Sequence, residues 1–342
     1  MNIDIRDYQY ILNECIDIFQ ILKGKSIFIS GGTGFIGKWL IESISYANIE
    51  LDLNIKLTIL TRKPEVFKKE YPHLCNNITF LKGDIRNFDF PKDDFDYIIH
   101  AATEASAKMN FEQPLEIIDV IYTGTKHILD FAKVRNVKNM LFLSSGAVYG
   151  KQPCEILSLS ETFQGGPDPL QPSSSYAEAK RLAEQLCSSY ARLYEMNIPI
   201  ARCFAFIGPY LNLDSHYAIG NFIGNGLRNE TITITGDGKA ERSYMYAADL
   251  AIWLWTILVK ARSCDVYNIG AENAISIKDL AIMVSGFFPG TKIDILNQIR
   301  NTDRNQNYIP DVTKAKIEFG LKNGLWLKEA INRTISFYIP LK

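Results

Sequence analysis

The 342-residue sequence carries no excess of either charge. Its 37 basic residues stand against 38 acidic ones, a formal net charge of −1, which gives no long-range field to draw it to nucleic acid or an anionic membrane. Long apolar runs are missing as well. The longest near its centre, Leu250 to Val259, is about ten residues where a membrane span needs roughly twenty, so it reads as a buried helix. The opening Met1-Asn2-Ile3-Asp4-Ile5-Arg6-Asp7 lacks the basic-then-apolar order of a secretory leader. Cysteine is sparse: Cys15, Cys75, Cys154, Cys187, Cys203 and Cys264 are scattered without a C-x-x-C pair. That argues against a disulfide framework and a metal site, and for a reducing, cytoplasmic setting. Internal repeats and low-complexity segments are also absent. What is present is ordinary core material, 47% hydrophobic and 22% charged residues, which excludes a disordered or collagen-like chain. At about 150 residues per domain the length predicts two domains or one large α/β unit. A chain of this size buries roughly three quarters of its extended surface without staples.

Tyr8, Ile11, Leu12, Cys15, Ile16, Phe19 and Leu22 fall on one face of an amphipathic helix closed by Gly24. A short run, Ser26-Ile27-Phe28-Ile29-Ser30, then reads as a buried strand. It feeds a glycine-rich turn and a helix from Phe35 to roughly Tyr46. The strand signal recurs at Lys56–Leu60, Ile78–Leu81, Tyr97–His100 and Met140–Leu143, with a helical pattern from about Pro114 to Val134 between the last two. A further helix spans Tyr176 to about Tyr194, and Ile198–Phe204 reads as the next strand. This alternation predicts right-handed βαβ units and a doubly wound, Rossmann-type parallel sheet. After Gly208-Pro209 it weakens, and short strands such as Thr231–Ile234 predict a smaller, less regular α+β lobe that binds substrate. The expected division is residues 1–204 plus about 245–272 for the sheet domain, and about 205–244 plus 273–342 for the lobe. Residues 1–23 add an extra N-terminal helix.

Three groups of residues carry chemistry. Gly31-Gly32-Thr33-Gly34-Phe35-Ile36-Gly37 lies between the first strand and its helix, where glycines let backbone approach a pyrophosphate and the helix N-terminus supplies N–H donors. The second strand ends Thr61-Arg62-Lys63, without the acid that usually binds the ribose 2′-hydroxyl of NAD. A hydroxyl and two cations suit a 2′-phosphate and favour NADP(H); NAD is the alternative if Arg62 and Lys63 are solvated loop charges. Asp84-Ile85, after the third strand, is placed either to meet an adenine or to cap a turn. Finally, Tyr176 and Lys180 lie four apart on one helix face, where a cation lowers a phenol's pKa toward neutrality. Ser145 lies at a strand's carboxyl end, where open α/β sheets bind ligands.

Together Ser145, Tyr176 and Lys180 resemble the catalytic set of the extended short-chain dehydrogenase/reductase superfamily, the nucleotide-sugar epimerases, dehydratases and reductases. The resemblance covers about Ser26 to Leu321. It includes His100-Ala101-Ala102, Gly124-Thr125, Arg202-Cys203-Phe204, Gly208-Pro209, Gly236-Asp237-Gly238 with Arg242 and Asp249, and Arg300 with Asp311-Val312-Thr313-Lys314-Ala315. It implies that Tyr176 exchanges a proton with a sugar hydroxyl or ketone while a nicotinamide exchanges hydride at the same carbon. It implies that Lys180 holds the nicotinamide ribose, that Ser145 bonds the reacting oxygen and that Ala101 and Ala102 line the cofactor site. Arg242 and Arg300 match positions that grip a nucleotide-sugar diphosphate, and Glu104 lies near the expected sugar. A homodimer through helices flanking the active site is implied in the same way; no nucleic-acid or membrane partner is expected.

Departures narrow the reaction. Dehydratases and decarboxylases of this group carry an acid just after the catalytic hydroxyl; Gly146 and Ala147 stand there instead. Ala205 and Ile121 replace asparagines often found at their positions. The resulting expectation is an NADP(H)-dependent 4-ketoreductase of a 4-keto-6-deoxy nucleotide sugar. The alternatives are a C4 epimerase with tightly held NAD, then a 4,6-dehydratase or a catalytically silent dinucleotide-binding protein. His100, Trp253, Trp255, Tyr244 and Tyr246 are expected mainly to pack, though the last two could frame a base.

Overall fold

The computed structural model describes residues 3–102, 107–214, 217–297 and 307–339. Strands β1 (Ser26–Ser30), β2 (Lys56–Thr61), β3 (Ile78–Lys82), β4 (Tyr97–His100), β5 (Asn139–Ser145) and β6 (Ile200–Cys203) join the edge strand Val266–Ile269 in one parallel sheet. The order is edge strand, β6, β5, β4, β1, β2, β3. Successive strands leave β1 in opposite directions, to β2 on one side and β4 on the other. This is the topological switch point at whose carboxyl ends such sheets bind ligands.

Away from its β3 edge the sheet is buried on both faces. In β1, Ile27 and Ile29 enter one apolar cluster and Phe28 the other, each with no exposed surface. The Phe28 side is covered by the helices Pro114–Val134 and Ser175–Tyr194, with Phe88 stacked on Phe28, Phe95 edge-on and Phe131 tilted against it. The other side carries α1 (Ile5–Ile21), α2 (Phe35–Leu51) and the helix Ala247–Lys260. That last helix is buried on every side from Ala247 to Leu258, as a helix apolar all round must be. Trp253 and Trp255 lie wholly inside it, and Trp255 donates from Nε1 to Ser43 Oγ at 2.9 Å. Beyond β6 come three short pairings: Phe206–Ile207 with Met245–Tyr246, Glu241–Arg242 with Ile275–Ser276, and Ile232–Ile234 with Ile293–Ile295. Phe222, Ile232, Leu280 and Ile331 in this part share one apolar cluster with Trp39 and Ile59 of the sheet region.

The N-terminal helix docks through polar groups as well as apolar ones. Ile16, placed on the apolar face by periodicity, is 44% exposed, while Ile18 is buried. Asp7 has no exposed surface; it accepts from Tyr246 Oη at 2.6 Å and pairs with Arg333. Tyr10 Oη donates to Asp249 Oδ1 at 2.8 Å, and Gly324 N donates to the same oxygen at 3.0 Å. Burial pushes the Asp249 carboxyl up to about 6. Arg333→Met keeps the stem but strands Asp7 as a buried acid without its cation, so it should destabilise the fold by about 3–5 kcal/mol. Urea unfolding measures this; a loss below about 1 kcal/mol would show that Asp7 does not depend on Arg333.

No helix among the described residues is long and apolar enough to cross a membrane. No group of three or more His, Cys, Asp or Glu among them is arranged to hold a metal ion.

Candidate active site

The turn after β1 is built for close approach. Gly31 has φ +77°, and a Cβ added there would lie 2.6 Å from the backbone of Ala101 and Ala102 at the end of β4. A Cβ at Gly37 would lie 2.4 Å from Gly32 Cα, so helix and turn meet backbone to backbone. Gly34 caps α2 without a side-chain hydrogen bond. The first-turn N–H groups of Phe35, Ile36 and Gly37 have no partner inside their own helix, beside an exposed Gly34 and a half-buried Thr33. This cradle at the switch point fits a dinucleotide pyrophosphate.

At the end of β2, Arg62 and Lys63 are exposed. Asp84 caps its turn: Oδ1 accepts from Arg86 N at 3.0 Å and Nε at 2.9 Å, and Oδ2 from Nη2 at 3.1 Å. The Arg86 hydrogen bond holds this carboxyl below its usual range, with a smaller contribution from Arg62. Arg86 also bridges Glu116 and Asp119, each at 2.9 Å. Ile85 is buried against Gly124, where an added Cβ would meet it at 2.9 Å. His100 is buried between Ser30 Oγ (2.7 Å) and Thr125 Oγ1 (3.1 Å), and burial lowers its pKa to about 3, so it is a neutral packing residue.

Ser145, Tyr176 and Lys180 converge at the carboxyl end of β5. Ser145 pairs across the sheet with Cys203 and caps the short helix after it, accepting from Ala147 N at 3.2 Å. Beneath, Ser144 Oγ donates to Glu184 Oε1 at 2.6 Å, and Glu184 is gripped by Arg202 through bonds of 2.9 and 2.6 Å. Arg202 stacks over Tyr149 at 4.6 Å, so the turn carrying Ser145 is braced by a part-buried ion pair. Tyr176 opens the helix Ser175–Tyr194, and its N–H donates to Asn110 Oδ1 at 3.0 Å. Its hydroxyl stands beside Ser145.

The electrostatics correct one expectation. A cation beside Tyr176 was to lower its pKa, but burial raises it well above the usual phenol value, and the opposing pull comes from the Ser145 hydrogen bond. Lys180 Nζ lies under β5, donating to Leu143 O at 2.7 Å and standing 4.9 Å from the Phe142 ring; burial brings it down to about 8. Cys203 is pushed up to about 12 by burial and stays a thiol.

Arg242 lies on the far wall, bridged backbone to backbone with Tyr308, and donates from Nη1 to Glu241 O at 2.8 Å. Tyr246 is bound to Asp7 and buried, so it packs and does not frame a base. Tyr244 is buried, with its phenol pushed up to about 12. Ala205 takes part in backbone pairing with Met245 (3.0 Å), and Ile121 is core. Glu104 and Arg300 lie outside the described residues. Sequence reasoning missed Asn110 and Tyr308. No local pattern marks Asn110, whereas Tyr308 stands three residues before the Asp311-Val312-Thr313-Lys314 motif.

A glycine-rich turn at a sheet switch point, with Ser145, Tyr176 and Lys180 gathered at the carboxyl end of β5, defines a Rossmann-type α/β fold with a dinucleotide-type cradle. Residues 27–270 match the model of the NAD dependent epimerase/dehydratase family, and the chain belongs to that family. Among curated relatives, it is 30% identical over 306 residues to UDP-glucuronic acid decarboxylase 5 of Arabidopsis thaliana, covering 89% of this chain and 86% of that protein. Among solved structures, an epimerase of Methanothermobacter thermautotrophicus superimposes with a TM-score of 0.81 at 22% identity over 96% of both chains. UDP-N-acetylglucosamine 4-epimerase of Methanobrevibacter ruminantium, solved with UDP-N-acetylmuramic acid, gives 0.79 at 25% identity over 92% and 98%.

Proposed function

We propose that this enzyme is a nucleotide-sugar 4-ketoreductase that uses NADPH to reduce a 4-keto-6-deoxy sugar. The observation that carries the reading is the Tyr176 hydroxyl beside Ser145 at the carboxyl end of β5, with Gly146 and Ala147 after the serine bringing no acid. Elimination or decarboxylation needs a group to take or return a proton at a neighbouring carbon. Here the space above Gly146 holds the Tyr308 hydroxyl and the Phe204 ring, 2.6 and 2.7 Å from where a Cβ would sit. The decarboxylase relatives therefore lend this chain their scaffold but not their proton chemistry.

When bound, NADPH supplies hydride to the ketone carbon. Ser145 hydrogen-bonds the ketone oxygen, and Tyr176 gives it a proton, which the phenol regains from water. Lys180 holds the nicotinamide ribose. The backbone of the Gly31–Gly37 turn and the Ala101-Ala102 segment cradle the dinucleotide, with Asp84 and Ile85 bordering its adenine. Thr61 and Arg62 take the 2′-phosphate. Residues 205–244 and 273–342 act as the sugar-nucleotide lobe, with Arg242 and Arg300 on the diphosphate and Glu104 at the sugar. The exposed Leu115, Ile118 and Tyr122 on the helix Pro114–Val134 would close a homodimer, and six free cysteines fit a reducing cytoplasm.

Denaturing fresh protein and identifying any released nucleotide, with NADPH and NADH titrated in parallel, tests the reading. Little bound cofactor and tighter NADPH binding are expected. In Arg62→Ala the Kd for NADPH should rise about tenfold, with NADH unchanged, the loss of one phosphate-pairing cation. Stoichiometric NAD released only on denaturation would instead establish the second reading, a C4 epimerase, which the likeness to the Methanobrevibacter 4-epimerase supports.

A further inference from the structure

We infer that Asn110 is a positioning residue of the reaction: its side-chain amide caps, from a separate element, the helix whose first turn carries Tyr176, and so keeps the phenol within reach of the reacting oxygen. The inference deepens the reading above and rests on it for the role of Tyr176.

A helix leaves its first N–H groups without partners, and a side chain at the N-cap usually accepts from the second or third. The helix Ser175–Tyr194 has no such cap of its own. Ser174 at the cap position has helical backbone angles, φ −83° and ψ −8°, because it ends the short 3-10 helix Pro172–Ser174, and its side chain makes no capping bond. Ser175 Oγ is turned backwards, donating to Pro172 O at 2.9 Å. Residues 168–173, which lead into the helix, are exposed, so packing does little to fix its start.

Asn110, on the short helix Ala107–Glu112 that follows β4, supplies the cap. Its Oδ1 accepts from Tyr176 N at 3.0 Å, and its Nδ2 donates to Ser173 O at 2.6 Å. The two bonds allow the amide only one way round, since its oxygen cannot donate to a carbonyl and its –NH2 cannot accept from an N–H. One side chain thus spans the turn before the helix and the second residue within it.

The loss of this clamp would be felt unequally along the helix. Ala179, Lys180 and Ala183 are buried, and Lys180 Nζ donates to Leu143 O at 2.7 Å, so the second turn keeps its place without Asn110. Tyr176 is only half-buried and lies in the first turn, and its phenol is what moves. A general acid works at hydrogen-bond reach, and a misplacement of about 1 Å costs up to about 10²-fold.

Asn110→Leu keeps the volume and removes both bonds. With NADPH and a 4-keto-6-deoxy nucleotide sugar, kcat should fall about tenfold, while the NADPH Kd and the sugar KM stay within about twofold. Asn110→Asp keeps an acceptor for Tyr176 N at a helix start, where a carboxylate is favoured, and should bring kcat back to within about threefold of wild type. A purely structural role would lower kcat and NADPH affinity together. That result, an unchanged kcat in Asn110→Leu, or an Asn110→Asp protein no faster than Asn110→Leu would each overturn the inference. A readout independent of turnover is amide hydrogen exchange in the 15N-tyrosine-labelled protein, with the Tyr176 resonance assigned by its loss in Tyr176→Phe. Exchange at Tyr176 should be about tenfold faster in Asn110→Leu, the opening of one hydrogen bond; an unchanged rate overturns the inference. If the wild-type protein reduces no 4-keto sugar, the reductase reading fails alone. The same kcat comparison is then made on 4-epimerisation, and exchange at Tyr176 still decides whether Asn110 holds the helix start.

Discussion

Tyr176→Phe should lower turnover about 10²–10⁴-fold, the contribution of a positioned general acid, and should leave NADPH affinity nearly unchanged. The phenyl ring fills the same half-buried position, and the backbone N–H that Asn110 receives at 3.0 Å is untouched. The helix start survives, and only the proton is lost. Lys180 is not placed to take over as donor: its ammonium lies beneath the strand, with one N–H on Leu143 O, and its proposed task is to hold the nicotinamide ribose. Nor can Ser145, whose proton is a hydrogen-bond donor and not one it gives up near neutral pH. The check is kcat and KM with NADPH and the 4-keto sugar, alongside fluorescence titration of the cofactor. A variant within about threefold of wild type in kcat would remove Tyr176 from the chemistry and with it the ketoreductase reading.

What was legible in the sequence is what local pattern encodes. β1, β2, β3, β4 and β5 were legible as short β-branched and aromatic runs; the central β1, β4 and β5 are covered on both faces and keep an apolar stretch, while the edge strand β3 holds no fully buried residue. The Tyr176 helix and the helix Pro114–Val134 began and ended within a residue of expectation. The glycine turn was legible for another reason: backbone packed on backbone tolerates no Cβ, so the requirement is written as residue identity. Polar contacts across the chain were not legible. Periodicity counts apolar positions, so it placed Ile16 inside and passed over Asp7, whose burial depends on Arg333 and Tyr246 far along the chain. Asn110 and Tyr308 escaped in the same way. Asn110, in the short helix Ala107–Glu112, and Tyr308, in an irregular stretch, are ordinary polar residues that only the fold brings to Tyr176 or Ser145. The sign of the Tyr176 shift was misjudged because spacing reveals the cation but not the depth of burial or the carbonyl that holds Lys180.

Gly31→Ala is the substitution with the largest expected effect on the fold near the site. Two costs add. At φ +77° an alanine enters the left-handed region, and its Cβ would press to 2.6 Å against the carbonyl carbon of Ala101 and the nitrogen of Ala102. Those atoms are backbone at the end of β4, which is hydrogen-bonded on both sides, to β1 and β5, so no side chain can swing away. The backbone strain and the overpacking together come to about 2–6 kcal/mol. Gly34→Ala is the control. Its φ is −79°, and the added Cβ meets only Gly31 O at 3.3 Å, on an exposed surface. It should cost the fold about 1 kcal/mol as an N-cap change, yet place a methyl group where the dinucleotide must approach the helix N-terminus. Gly31→Ala should therefore lower the urea midpoint strongly along with cofactor affinity, whereas Gly34→Ala should lower affinity with only a small loss of stability. A Gly31→Ala protein with wild-type stability would mean that β4 can retreat from the turn. A Gly34→Ala protein with wild-type NADPH and NADH affinity would mean that the dinucleotide does not cross this helix end.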